Sequence, residues 1–392
     1  MCQGLPFGFF TQAMPIVLRQ NNASLKVIGF SALLSFPWFF KFLWGPFFDR
    51  FYFKKIGRRK SWILPLQALT IGLCFFLATL DVQKNTSILF LAFFLSNLLA
   101  SLQDVATDAF AVENLKDEER GFGNGIQVAG YRVGMIIGGA ALLYFFDVSG
   151  WSMTMYLMAA IIFINSLLIL FYKEKTKIKG RKKINFKNYF LNFKEFLMKK
   201  GVKKWVVILL VYKIGDALGS IMLKPMMVDV GYSTQEIALY VGTIAFMMSL
   251  GGALIGGLVI NKIGRFRSLY LFGFFHSFVL ASYALIKLFP ANRILGVGVI
   301  AIEHFVGSML TVSLFTLMMY FCSKENSATE YSLQASLVVM ATGVFSSLSG
   351  VSADFLGYVP HYLLCGVIGV FSFAFIYAQS QSEDFRFLKL HS

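Results

Sequence analysis

Charged residues are scarce in this chain of 392 residues. Asp, Glu, Lys and Arg make up 14% of it, well below the roughly 25% that is usual in soluble domains. Together with a hydrophobic share of 57% and a mean hydropathy of +0.67, this deficit excludes an ordinary soluble domain. Apolar runs of about twenty residues recur along the chain, and each is long enough to cross a bilayer as a helix. The alternating segments of transmembrane strands are lacking. The sequence therefore predicts an all-α polytopic membrane protein.

Cysteine and histidine are also sparse, with four of each. The cysteines lie mostly in apolar runs and have neither metal-ligand spacing nor the arrangement of a disulfide framework. The histidines are dispersed along the sequence. We therefore expect no metal site and no enzyme, since a membrane-embedded transferase would need a catalytic or metal-binding set. No cleavable signal peptide is apparent, so the first apolar stretch is expected to be a retained helix that begins almost at Met1.

The apolar runs predict twelve membrane spans. With the N-terminus inside, 27 of the 36 Lys and Arg residues fall in inner segments, 5 in outer segments and 4 within spans. Such a bias fixes the orientation with both termini in the cytoplasm. It also accounts for the net charge of +16 without a nucleic-acid partner. The spans cover residues 3–19, 27–48, 61–80, 87–112, 121–146, 152–172, 205–228, 235–260, 268–287, 294–321, 330–353 and 359–378.

A basic segment divides the chain near its middle. Residues 173–204 are predicted to be a cytoplasmic linker along the anionic inner leaflet. It separates six-helix bundles at 1–172 and 205–380, and 381–392 form a tail. GRRKSWIL (57–64) and GRFRSLYL (264–271) lie 207 residues apart, each in the second inner loop of its half. This weak repeat indicates two halves of parallel topology, as in the major facilitator superfamily.

The loop GPFFDRFYFKKIGRRKS (45–61) resembles the signature of that superfamily between spans two and three. Its glycines permit close turns, and its aspartate can pair with a nearby arginine or lie at the positive end of a neighbouring helix. We expect such contacts to latch one face of the protein in one state of a transport cycle. The alternative is that the basic residues only follow the positive-inside rule. The candidate latch residues are Gly45, Asp49, Arg50, Gly57, Arg58 and Arg59.

A few ionisable residues lie deep in the spans. Each costs about 2.5–3.5 kcal/mol on insertion scales, so each marks a candidate functional site. Asp104 and Asp108 are four residues apart and share one face of span 4, which we expect to line a central water-filled cavity. We favour Asp108 as a proton carrier. A static salt bridge with Lys41 or Arg132 and direct contact with substrate are the alternatives. The candidates for proton coupling are Asp104, Asp108, Asp216 and Glu303.

The cations in the spans indicate an anionic substrate, because ammonium and guanidinium groups bind carboxylates and phosphates. Balancing of the buried acids is the competing explanation. Neutral amides and phenols could add hydrogen bonds to a sugar or a peptide. His304 is expected to be structural. The candidate substrate-binding residues are Lys41, Gln103, Asp104, Gln127, Tyr131, Arg132, Tyr212 and Lys213.

Several stretches together resemble the AmpG-type muropeptide permeases of the major facilitator superfamily. They are QGLPFGF (3–9), FKFLWGPFFDR (40–50), GRRKSWILPLQ (57–67), SLQDVATDAF (101–110), ERGFGNGIQVAGYRVGM (119–135) and YKIGDA (212–217). The related acetyl-coenzyme A transporters share a similar QD-x-x-x-D stretch. Family members often carry Trp, or Tyr followed by Arg, where this chain has Phe110 and Ala111, and the N-terminus is shorter here.

The resemblance implies import across the bacterial inner membrane, driven by the proton gradient and without another cofactor. The family's cargo is N-acetylglucosaminyl-1,6-anhydro-N-acetylmuramyl peptides, which carry carboxylates. The resemblance also matches Asp104 and Asp108 with the family's acids in span 4, and Lys213 and Asp216 with its charged pair in span 7. A monomer is expected. A transporter of another anionic metabolite, such as an acyl-coenzyme A, a siderophore or a drug, stays an alternative, and a membrane-embedded transferase or a receptor is a remote one.

Overall fold

The structure is a computed structural model that describes residues 1–9, 36–81, 84–174 and 191–385. Residues 10–19 of the predicted span 3–19 and residues 27–35 of the predicted span 27–48 lie outside the described residues, as do 175–190 of the linker at 173–204 and 386–392 of the tail at 381–392. The described residues form helices joined by turns and short irregular segments, as expected of an apolar chain that must satisfy its backbone groups inside a bilayer.

The helices are numbered here in chain order. They are α1 (Gly4–Gly8), α2 (Phe36–Phe40), α3 (Gly45–Arg50), α4 (Lys60–Ala78), α5 (Thr86–Asn114), α6 (Arg120–Ile136), α7 (Leu142–Phe171), α8 (Leu191–Met198), α9 (Val202–Val211), α10 (Ile214–Ser220), α11 (Leu223–Asp229), α12 (Thr234–Ile237), α13 (Ala245–Ile263), α14 (Arg265–Ala281), α15 (Tyr283–Leu288), α16 (Arg293–Tyr320), α17 (Ser327–Leu356) and α18 (Tyr358–Ser380).

In the described part of the chain, nine helical stretches are long and apolar enough to cross a membrane. Eight of them agree with single predicted spans to within three residues at either end. The ninth, Asp117–Phe171, has 55 residues and covers the two predicted spans 121–146 and 152–172. Gly150 marks the boundary between these two, because its φ of 78° and ψ of −179° are not helical. Only glycine adopts such a conformation readily.

The described residues pack as two compact units. The first consists of Met1–Leu115, Gly130–Phe193 and Cys322–Ser336. Its larger core is formed where α4 packs along α7, and it includes Leu77, Phe93 and Met158. A smaller core around Phe48 joins α3, α4 and α5. This smaller core of the first unit lies next to the loop after α3, where several charged residues are buried.

The second unit consists of Lys116–Ala129, Lys194–Phe321 and Leu337–Ser392. Its longest helix contacts are those of α13 with α16 and of α14 with α18 and α16. Its core contains Met226, Ile300 and Tyr362. The domain boundaries at 172 and 205 stay a prediction, because these units are defined by packing alone.

Large apolar side chains are abundant on the outside of the helices, for example Ile294, Phe355 and Phe371, which are 86%, 87% and 71% exposed. In a soluble protein such surfaces would drive association. Here they are the surfaces that face lipid, whereas many charged and polar residues are buried. This distribution is that of a multi-pass membrane protein.

Candidate functional site

In the first unit, Lys41 lies beside both aspartates of α5. Its ammonium donates to Oδ2 of Asp104 at 2.5 Å and lies 3.8 Å from Oδ2 of Asp108. The three side chains are 4%, 14% and 8% exposed, respectively. The aspartates reach the same ammonium because residues four apart share a face of a helix. One lysine thus contacts two buried carboxylates.

Aromatic rings extend from this cluster. The ring of Trp38 lies 5.5 Å from the ammonium of Lys41, within the range of a cation–π contact. Tyr131 on α6 packs against Trp38 and Phe7, with ring centroids 6.5 and 6.2 Å apart. The ring of Trp38 therefore lies between Tyr131 and Lys41. Among the other candidates, Gln103 is buried on α5, and Gln127 and Arg132 are half-buried on α6.

In the second unit, Lys213 and Asp216 form an ion pair at the start of α10. The ammonium of Lys213 donates to Oδ2 of Asp216 at 3.0 Å, and the hydroxyl of Ser220 donates to Oδ1 at 3.0 Å. The spacings of three and four residues place these groups on one face of the chain. Tyr212 is 2% exposed, and its hydroxyl donates to the carbonyl oxygen of Leu310.

In the structure, Glu303 lies close to Asp216, with His276 in contact with both acids. Nε2 of His276 lies 3.1 Å from Oε1 of Glu303 and 3.7 Å from Oδ1 of Asp216. The hydroxyl of Tyr283 donates to Oε2 of Glu303 at 2.6 Å, and Nδ1 of His304 is also 2.6 Å from Oε2. The sequence suggested Asp216 and Glu303 separately, but it gave no sign of His276 or Tyr283.

The candidate latch residues converge on a buried network in the first unit. Oδ1 of Asp49 accepts from Nη2 of Arg58 at 3.1 Å and from Nη2 of Arg59 at 2.6 Å. Both arginines also donate to Oε1 of Glu113, at the end of α5, at 2.8 and 2.5 Å. The four side chains are 0–4% exposed. Two positive and two negative charges therefore balance in a buried site.

Asp49 also caps the beginning of α17. Its carboxylate accepts from the backbone N–H groups of Ala328 at 3.1 Å and Thr329 at 2.8 Å, and from the hydroxyl of Thr329 at 2.7 Å. A carboxylate at a helix N-terminus satisfies free N–H groups and complements the helix dipole. Ser327 joins the network, since its hydroxyl donates to Oε1 of Glu113 at 2.5 Å.

The remaining loop residues have geometric roles. A Cβ atom on Gly45 would lie 2.6 Å from Cα of Thr329, so glycine allows α3 to approach α17. Gly57 has a φ of 119°, and a Cβ atom there would lie 2.3 Å from Oε2 of Glu174. Arg50 donates to Oδ1 of Asn192 at 3.1 Å instead of joining the buried network.

The pKa values of the two arginines of this loop are shifted in opposite directions. Burial, reinforced by the charge of Arg59, lowers the pKa of Arg58 below its usual value. Burial also lowers the pKa of Arg59, but the carboxylates of Glu113 and Asp49 raise it by more, so it lies above its usual value. Arg59 is therefore the cation that the network holds most firmly.

Sequence reasoning missed Glu113, Ser327, His276 and Tyr283. Glu113 belongs to the stretch with Asp104 and Asp108, but it lies at the helix end, where an acid is unremarkable in sequence. The sequence contained one indication of it: Asp49 can pair with one arginine of the GRR motif, and the second arginine then needs another acid. No pattern connects His276 with Asp216 and Glu303, because 60 residues and 27 residues separate it from them along the chain.

Comparison with known proteins identifies the family. A sequence model described as the Major Facilitator Superfamily matches residues 1–329. The chain belongs to the Major Facilitator Superfamily. Its relatives and its fold are those of membrane transporters that act on small molecules and not those of enzymes.

Curated relatives confirm the resemblance to AmpG-type permeases. The chain is 27% identical to the anhydromuropeptide permease of Escherichia coli K12 over 364 residues, which cover 92% of this chain and 74% of the relative. It is 24% identical to a putative transporter AmpG 4 of Rickettsia conorii, with 94% and 91% covered. An uncharacterised protein of Haemophilus influenzae is 27% identical, with 92% and 88% covered.

Solved structures show the same fold. The fucose transporter FucP of this superfamily, in its outward conformation, matches with a TM-score of 0.72 at 15% identity, over 97% of each chain. The proton:xylose symporter XylE matches with a TM-score of 0.70 at 15% identity, over 96% of this chain and 93% of that one. At such identities the likeness supports the fold and not the cargo.

Proposed function

We propose that this chain imports anhydromuropeptides across the bacterial inner membrane by proton symport, for recycling of the cell wall. The observation that carries this proposal is the similarity to the anhydromuropeptide permease of Escherichia coli along 92% of the chain. The protein would act as a monomer, with both termini in the cytoplasm. The cargo consists of two sugars and a peptide, so it offers hydroxyls, amides and carboxylates to the transporter.

The cations of the two buried clusters, together with Arg132 on α6, suit the carboxylates of this cargo. Lys41, Arg132 and Lys213 would attract them, and Gln103, Gln127, Tyr131 and Tyr212 would supply hydrogen bonds to the sugars and the peptide. Lys41 and Lys213 already contact carboxylates of the protein. A carboxylate of the cargo therefore has to compete with Asp104 for Lys41 and with Asp216 for Lys213.

This competition supplies a mechanism for coupling. If the cargo takes the ammonium of Lys41, the carboxylates of Asp104 and Asp108 lose a counter-charge in a nearly dry site. Two neighbouring buried carboxylates then favour the binding of a proton by one of them. We assign this proton to Asp108, which is 3.8 Å from Lys41, while Asp104 keeps the closer contact at 2.5 Å. Cargo and proton would thus bind together.

The network at Asp49 would control the change of conformation. Asp49, Arg58, Arg59 and Glu113 are buried, and Asp49 is bonded to the first turn of α17. We propose that these contacts stabilise one state of the transport cycle and separate in the other. Gly45 allows the close approach, and Gly57 shapes the turn that carries the two arginines.

The test is uptake by reconstituted liposomes. Wild-type protein should accumulate labelled anhydromuropeptide only when a pH gradient is imposed. Asp108→Asn should keep exchange of cargo across the membrane but lose accumulation. Asp147→Asn is the matched control, because Asp147 is an exposed aspartate of the same unit, and it should behave as wild type.

Two outcomes would contradict the proposal. Equal accumulation by wild type and Asp108→Asn would show that Asp108 is structural, and Asp104 would be tested next. No uptake by folded wild-type protein would exclude the muropeptide cargo, and the same liposomes would then be tested with other anionic metabolites, acyl-coenzyme A first.

A further inference from the structure

A cavity of about 590 Å³ lies at one end of the second unit. The end of α13 and the beginning of α14 form part of its wall, together with the segment before α6 and the ends of α16 and α18. The connecting segments among these belong to the predicted inner side, so the cavity would face the cytoplasm. Its volume lies within the roughly 300–1,000 Å³ of small-molecule sites. The cavity is therefore large enough to hold a ligand.

Three cations line this cavity, Lys262, Arg265 and Arg267. In the part of the chain that the structure describes, none of the three forms an ion pair with an acid. Lys262 and Arg267 are exposed. The guanidinium carbon of Arg265 lies 3.2 Å from the ring centroid of Tyr320, and a cation–π contact of this kind leaves the positive charge in place. The cavity therefore has an excess of positive charge on its wall.

The first copy of the internal repeat uses its cations differently. Arg58 and Lys60 occupy the positions that Arg265 and Arg267 occupy in GRFRSLYL (264–271). Arg58 pairs with two acids of its own unit, and the ammonium of Lys60 donates to two backbone carbonyl oxygens at 2.8 and 2.9 Å. The cations of the first copy are thus bound by the protein itself, whereas those of the second copy face a cavity.

Two acids also line the cavity, Asp117 and Glu118. Oδ1 of Asp117 lies 3.3 Å from Nη1 of Arg120, so Asp117 has a cation of its own. Glu118 offsets one of the three lining cations, and two positive charges remain. Arg120 is 6% exposed, and among the described residues its Nε atom has no hydrogen-bond partner. A ligand with two negative charges would balance this site.

The first turn of α14 adds backbone donors to these side chains. Gly264 precedes the helix with a φ of 86°, and it has no side chain that could cap the free N–H groups. Gly264, Arg265, Phe266 and Arg267 all line the cavity. Backbone N–H groups at a helix N-terminus bind phosphate and other anions, and the guanidinium fork of arginine matches phosphate oxygens. The backbone and the side chains of this segment therefore favour the same kind of ligand.

We propose that this cavity binds a ligand that carries two phosphate charges, held by Lys262, Arg265 and Arg267. A single carboxylate would leave one of the two excess charges unbalanced. Phosphate can come from two sources. One is the headgroup of an anionic lipid such as cardiolipin, because basic pockets at the cytoplasmic side of membrane proteins bind such headgroups. The other is a soluble diphosphate. The proposal does not depend on the cargo of the transporter.

The test uses the full chain, purified in a neutral detergent and freed of lipid. Native mass spectrometry measures the binding of cardiolipin, with phosphatidylcholine as the reference lipid, and titration calorimetry measures the binding of inorganic pyrophosphate. We expect wild type to bind cardiolipin in preference to phosphatidylcholine, or to bind pyrophosphate. The double variant Lys262→Gln/Arg267→Gln should weaken that binding by at least about tenfold, because it removes two charged donors from the site.

Lys203→Gln is the matched control. Lys203 is an exposed cation of the same unit and does not line the cavity, so its loss should leave binding unchanged. If the double variant loses only cardiolipin, the ligand is a lipid headgroup. If it loses only pyrophosphate, the ligand is a soluble phosphate compound. Loss of both would show that the site accepts phosphate from either source.

Several results would overturn the proposal. One is binding by the double variant equal to that of wild type, or no binding of either probe. An equal loss in Lys203→Gln would indicate attraction to surface charge in general. Citrate that binds wild type as tightly as pyrophosphate, with the same loss in the double variant, would reject phosphate as the ligand chemistry. Melting curves identify a variant that fails to fold. In that case Lys262→Gln and Arg267→Gln are compared singly, each with an expected loss of about threefold.

Discussion

Glu113 shows how much a single buried charge can depend on its neighbours. Its Oε1 atom accepts hydrogen bonds from Arg58, Arg59 and Ser327, and all of these side chains are buried. A buried ion pair is a weak source of stability by itself, but removal of one partner leaves the other charge without compensation. The network is therefore sensitive to loss of any one of its acids.

We expect Glu113→Ala to lower the free energy of unfolding by about 3–5 kcal/mol, the usual effect of breaking a buried ion pair. Glu113→Gln should have a smaller effect, because the amide oxygen still accepts hydrogen bonds. Glu118→Gln is the control, since Glu118 is exposed, and it should change stability by less than about 0.5 kcal/mol. Denaturant unfolding in detergent measures all three. A loss in Glu113→Ala no larger than in the control would show that the network does not stabilise this conformation.

At the scale of single residues, the sequence predicted which residues share a helix face, but it did not predict which residues they contact on other helices. The spacing of Asp104 and Asp108 predicted a common face, and the structure places both beside Lys41. The contact of His276 with Asp216 and Glu303 could not be predicted, because it depends on how α10, α14 and α16 pack. Composition and periodicity describe each helix separately and contain no information about such a meeting point.

At the scale of helices, the apolar runs predicted the elements well because a bilayer fixes their length. Finer features of the same helices depend on packing. The sequence indicated a close turn at Gly45, but only the structure identifies Thr329 as its neighbour. Gly150 likewise shows why one helical stretch of 55 residues contains two predicted spans.

Two glycines of the first unit provide a matched pair for testing this close approach. Gly45→Ala should destabilise the protein, because its Cβ atom would lie 2.6 Å from the backbone of Thr329. Gly72→Ala should stabilise it by about 0.5–1 kcal/mol, because Gly72 is inside α4 with nothing within 4 Å of a Cβ atom, and alanine favours a helix over glycine. Melting temperatures in detergent measure both. Equal shifts of the same sign would show that α3 does not approach α17 as described.

At the scale of the whole molecule, charge distribution and not packing decides the orientation in the membrane. The sequence places 27 of the 36 Lys and Arg residues on one predicted side, and the positive-inside rule makes that side cytoplasmic. The orientation is thus a prediction from the sequence.

Cysteine labelling tests this orientation. Three native cysteines are buried, and Cys2 is half-buried, so the background is Cys2→Ser. In intact spheroplasts, a membrane-impermeant maleimide should label Ala291→Cys, which lies in a predicted outer loop, but not Lys262→Cys, which lies in a predicted inner loop. Both positions are exposed, so permeabilised spheroplasts should show labelling of both variants. Labelling of Lys262→Cys alone in intact spheroplasts would contradict the predicted orientation and would place both termini outside.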